Sequence, residues 1–138
     1  MSLTDYLEPI VLDAIFGAGA NAVSPGTFYL GASLADPTED ASGVSEPVGN
    51  GYARVPITNN ATNFPAASIP GGVGTKTNGV AFDFPTPTGT WGLITHWVLF
   101  DSLSGGNALV YGSFAVPKNI ASGDILRVPL AGMSITVD

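Results

Sequence analysis

Apolar positions fall into two regimes along the chain. From Leu3 to Ile15 they recur at spacings of three and four. Leu3, Leu7, Ile10, Val11, Ala14 and Ile15 form one stripe, the period of an amphipathic helix. Ser2, followed three residues later by Asp5, resembles a capping box with a shortened acid. Pro9 interrupts this reading. It costs about 3 kcal/mol in a helix interior and nothing at the first helical position. The pattern therefore predicts either a kink at Pro9 or a second helix that starts there. Gly17 is the natural stop, and residues 18–26 read as a small-residue linker.

From Thr27 onward the pattern is that of strands. Thr27–Leu34 is β-rich, and Tyr52–Thr58 alternates. Pro56 cannot donate to a ladder, which predicts an edge or bulged strand. Val80–Phe84 places Val80, Phe82 and Phe84 on one face, and Pro85 and Pro87 end it. Trp91–Phe100 is apolar on both faces, as a central strand covered on both sides would be. Ser102–Asn107 is a hairpin turn centred on Gly105-Gly106, with Leu109–Val116 as the partner strand. Ile125–Leu130 and Met133–Val137 close the chain. Residues 36–50 and 59–78 are long loops without periodicity. About seven strands separated by turns predict a mainly β fold, an antiparallel β-sandwich or jelly-roll-like domain with a short N-terminal helix. The organisation expected is a helical arm and linker over 1–26 and a β domain over 27–138.

Composition sharpens this picture. The 138 residues are 45% hydrophobic and only 11% charged, with 18 glycines and 11 prolines. Average soluble domains carry roughly 25% charged residues. High Gly and Pro signal disorder only with low hydrophobicity, and mean hydropathy here is +0.33. The net charge is −7, and Arg54, Lys76, Lys118 and Arg127 are the only Lys or Arg residues. So few scattered cations exclude a nucleic-acid partner, and no basic helix points to a membrane. There is no cysteine, hence no disulfide, thiolate nucleophile or Cys-ligated metal. Acidic residues interrupt the N-terminal stretch, so no signal peptide is expected, and no apolar run is long enough for a transmembrane helix.

The motifs carry little chemistry. Residues 17–22 match the spacing of a dinucleotide fingerprint, but such a motif must follow a strand and open a helix. Gly71 to Thr77 resembles a phosphate loop, with Thr75 where the working motif needs glycine. Asp36, Glu39, Asp40 and Glu46 share one loop without EF-hand spacing. His96, the single histidine, has no G-x-S-x-G partner, and it is expected to be packed or interfacial. Trp91 and Trp97, with Tyr52 and Tyr111, form either a ligand-stacking platform for sugars or part of the core, and core is the commoner fate of strand aromatics. No cofactor, metal or catalytic residue is expected.

The order of short motifs carries a resemblance. It runs from Phe16-Gly17 through Tyr29 and Asp36-Pro37-Thr38 to Glu46 and Gly51-Tyr52-Ala53-Arg54-Val55. It continues through Phe82–Pro85, Trp91-Gly92, Phe100-Asp101, Gly105-Gly106 and Pro117-Lys118 to Ser122-Gly123-Asp124. In this order the chain resembles a family of small tailed-bacteriophage virion proteins. They are often labelled tail fibre proteins, and some look like capsid decoration, or cement, proteins. The resemblance covers nearly the whole chain and implies no catalytic residues. The heptads and β-helix repeats that lengthen a fibre shaft are missing.

The resemblance implies a non-enzymatic virion structural protein, foremost a capsid decoration protein that stabilises the major capsid shell. Its partners would be the major capsid protein or other virion proteins, and a homotrimer is the expected oligomer. The assembly surface expected from the helix stripe comprises Leu3, Tyr6, Leu7, Ile10 and Val11. The stripe would equally serve to cap its own domain. The alternative is a tail-associated receptor-binding module that recognises host glycan through loops 36–50 and 59–78, or through Trp91 and Trp97.

Overall fold

The computed structural model describes residues 2–16 and 25–137. In chain order, β1 (Ser2–Leu3) and α1 (Leu7–Ile15) lead into β2 (Thr27–Ser33) and β3 (Val55–Thr58). There follow β4 (Gly74–Thr77), β5 (Phe82–Asp83), β6 (Gly92–Phe100) and β7 (Ala108–Ile120), then β8 (Arg127–Val128) and β9 (Ser134–Val137). The fold is mainly β and antiparallel with one short N-terminal helix, the class expected. Among the described residues, no helix is long and apolar enough to cross a membrane.

Five strands form the main sheet in the order β1-β7-β6-β2-β3, and two ribbons pair β4 with β9 and β5 with β8. The predicted central strand is β6, held between β7 and β2. Its alternation sorts the two faces. Trp97 and Leu99 lie opposite Ala32 and Leu30, in one core with Phe82, Leu126, Val128 and Met133. Val98 and Phe100 lie opposite Gly31 and Tyr29 and form a second core under Ala41 and Val44. Ribbons thus cover one face, and the acidic loop covers the other. Pro56 stands in β3 at the sheet edge, as its missing donor requires. Gly105 and Gly106, both at positive φ, turn the chain between β6 and β7.

The N-terminal arm differs from the expectation in three respects. The N-terminal stripe is not one helix: Ser2–Leu3 is a strand paired with Tyr111 and Val110 of β7. The buried Thr4 hydroxyl fixes this arrangement by donating to Ala108 O and Leu109 O at 2.9 and 3.2 Å. The shortened capping box does not form, because Tyr6 is the N-cap and no side chain caps it. Pro9 causes neither a kink nor a second start. It is the third residue of α1, inside the first turn whose N–H groups lack intrahelical partners anyway.

Residues 59–78 do contain a strand, β4, whose sequence Gly-Thr-Lys-Thr has no apolar alternation to betray it. β7 outruns its predicted end at Val116 and continues through Pro117, because a register shift sets the four residues 114–117 against Thr95 alone and Pro117 needs no ladder partner there. The strands expected at 52–58, 80–84 and 125–130 are shorter than drawn. The Gly17 stop, the Gly17–Ala22 motif and most of the linker lie outside the described residues.

Candidate functional site

The apolar N-terminal stripe is divided by its setting. Leu3 and Leu7 pack against the protein's own main core. Ile10 and Val11 are half-buried, and Tyr6 is exposed. No residue of α1 is buried. A second stripe, Leu12, Ile15 and Phe16, points outward, with Ile15 and Phe16 69% and 68% exposed. Leu12 and Ile15, three apart, share one side of the helix, and Phe16 follows as its extended C-cap. A helix apolar on every side belongs in an interior, yet these three side chains stand in solvent. Sequence reasoning named one stripe. Leu12 and Phe16 were the signal that the apolar arc was wider.

Beside the start of α1 lies an open concavity of about 590 Å³, lined by Asp5, Asp36, Thr38, Glu39, Asp40, Ser42 and Tyr111. The Asp5 N–H donates to Glu39 O at 3.0 Å and ties the arm to the acidic loop. Asp40 accepts from Thr38 Oγ1, Ser42 N and Ser42 Oγ at 2.7, 3.0 and 2.7 Å. The Thr38 and Ser42 donors hold its carboxyl down from the ordinary 3.8 to about 2. Asp36, which accepts from Thr38 N at 3.0 Å, and Asp40 thus serve the loop's own turns. Among the described residues, no three His, Cys, Asp or Glu side chains group as metal ligands.

Glu46 belongs to a different construction. Arg54 is 8% exposed and grips Glu46 through two bonds, Nε to Oε2 at 3.1 Å and Nη2 to Oε1 at 2.6 Å. Its Nη1 donates to Ser102 O and Gly105 O at 2.7 and 2.8 Å, which fixes the β6–β7 hairpin. Tyr52 donates to Glu46 Oε2 at 2.6 Å and accepts from Ala32 N at 3.0 Å. Burial, with the Glu46 carboxylate beside it, pushes the Tyr52 phenol far above its ordinary range. Gly31 makes room beneath: a Cβ there would lie 2.8 Å from Phe100 Cε2. The cluster borders a concavity of about 370 Å³. Among the described residues, no buried side-chain polar atom lacks a partner, so this network is a brace joining loop, hairpin and sheet.

Trp91 and Trp97 are 4% and 1% exposed, so neither offers a stacking face to solvent. Trp91 donates to Asn50 O at 2.9 Å and meets Tyr52 edge-on, with 5.3 Å between ring centroids. Trp97 lies over Gly112. His96 Nδ1 is 2.8 Å from Thr95 Oγ1, while Asp101 accepts from Asn107. The two are not brought together as base and orienter. Gly71 to Thr77 forms a 3₁₀ turn followed by β4, with no helix to present to a phosphate.

The structure thus sets an outward apolar stripe at α1 beside an acidic hollow. No curated protein matches the chain. A family model described as podophage GP4 fiber I protein gp80 matches residues 2–136. That span is almost the full chain, and this protein belongs to that family of phage virion structural proteins.

Proposed function

We propose that this protein is a non-enzymatic globular module of a phage fibre, seated on neighbouring virion proteins through the outward stripe of α1. The observation that carries the reading is Leu12, Ile15 and the C-cap Phe16, left in solvent at the end of a helix that buries no residue. The family's description as a fibre protein supports the placement. With no shaft repeat in its sequence, the chain would be an attachment or tip unit rather than the shaft. With Trp91 and Trp97 buried, any receptor contact falls to the loops at 36–50 and 59–78.

The second reading is capsid decoration, with the same stripe or the half-buried Ile10 and Val11 set against the shell. The 11% charge favours it, because a small domain with so little charge has surface to spare for burial among many neighbours. A homotrimer suits either placement. Quantitative mass spectrometry of purified particles separates them. A handful to a few dozen copies per particle is the result expected for a fibre, and hundreds would establish decoration. Absence from the particle, or turnover of host polysaccharide by the purified protein, would overturn both.

A further inference from the structure

The chain holds two Asn-Gly pairs in opposite settings, Asn50-Gly51 and Asn78-Gly79. Glycine after asparagine leaves the next backbone nitrogen unshielded, so it can attack the side-chain amide carbon. Asn78 is 1% exposed, and its side chain is fully engaged. Its Nδ2 donates to Val80 O and Pro129 O at 2.7 and 2.8 Å, and its Oδ1 accepts from Met133 N at 2.9 Å. Gly79 is walled in, since a Cβ there would lie 2.4 Å from Thr62 O. Asn50 is exposed. It stands in a turn where Gly49, Asn50 and Gly51 have φ of 71°, 52° and 78°. Its side chain is held by one hydrogen bond, from Nδ2 to Thr90 O at 3.0 Å.

We propose that Asn50-Gly51 is a site of spontaneous deamidation in the folded protein, with Asn78-Gly79 as its protected counterpart. The Gly51 nitrogen gives up its proton and bonds to Asn50 Cγ. The Cγ–Nδ2 bond breaks, and ammonia leaves with that proton. Water then opens the ring at either carbonyl, giving aspartate or isoaspartate, and nothing is oxidised or reduced. Either product loses the donor to Thr90 O. Isoaspartate also inserts a methylene into the backbone whose Asn50 carbonyl accepts from Thr88 N and Trp91 Nε1, both at 2.9 Å. Ageing at this turn would therefore loosen the anchor of a buried tryptophan.

The test is peptide mapping by mass spectrometry, with isoaspartate detection, after incubation of the intact protein at mildly alkaline pH with and without denaturant. In the folded protein Asn50 should convert at least about tenfold faster than Asn78, which must wait for local opening. In denaturant the two rates should converge. If Asn50 survives as long as Asn78 in the folded protein while both react in denaturant, the turn itself protects Asn50 and the proposal fails. Equally fast loss at both sites without denaturant would overturn it too.

Discussion

The guanidinium of Arg54 lies 3.4 Å above the centroid of the Phe100 ring. That stacking completes the grip on Glu46 and on the hairpin carbonyls. Arg54→Met should lower stability by about 3 kcal/mol or more, because it leaves a half-covered carboxylate and two carbonyls without their donor. Arg54→Lys keeps the charge but loses the planar fork, so it should fall in between. Urea unfolding midpoints decide this, and a wild-type midpoint for the Lys variant would show that charge alone suffices.

Asp40 sets an acid limit on its loop. Its folded carboxyl titrates near 2, below the ordinary 3.8. A depressed folded value means the bonds to Thr38 and Ser42 contribute fully above pH 3.8 and are lost as pH falls towards 2. The side-chain carbonyl resonance of Asp40 should therefore move with a midpoint near 2, and Asp40→Asn should flatten that part of the pH–stability curve. A midpoint at the ordinary value would remove the proposed role of the two donors.

Trp97 covers the open position left by Gly112, where a Cβ would stand 2.5 Å from Trp97 Cζ2. Gly112→Ala should cost about 1–3 kcal/mol through overpacking. Combined with Trp97→Phe it should cost less than the sum, because the smaller ring clears the new methyl. Strict additivity in thermal unfolding would place the strain elsewhere.

The helix offers a contrast between its two sides. Leu12→Ser with Phe16→Ser should change stability by less than about 1 kcal/mol, since both side chains are already in solvent. The same pair should reduce incorporation into particles. Leu7→Ala, which removes packing from the main core, should destabilise the fold by about 1–2 kcal/mol, less than a fully buried leucine would. Denaturation curves and particle composition report the two effects separately.

β6 was legible in the sequence, because its run is apolar on both faces and so had to lie centrally. The Gly105-Gly106 hairpin and the edge position of Pro56 were legible because each follows from local backbone chemistry. β4 was not, because its four residues are polar or glycine and its pairing with β9 is a tertiary event. β1 was hidden by a spacing that suits a helix as well as a strand entering one. The Asn78 bracket joins residues 51 and 55 positions apart, beyond any local pattern. The Arg54 brace escaped for the same reason, although Glu46 and Arg54 were both among the motifs noted. At α1 the apolar stripe was visible, but which half faces the core depends on where β1 lands.

The edge position of β1 also bears on the order of events during synthesis. Thr4 bonds to Ala108, 104 residues further along the chain. β1 thus pairs with a strand made much later than itself. The β6–β7 hairpin can close locally, whereas β1 must wait until β7 has been made. The arm that carries α1 therefore cannot be fixed to the sheet before β7 exists. Until the hairpin beneath it has formed, that arm has no strand of the sheet to dock on.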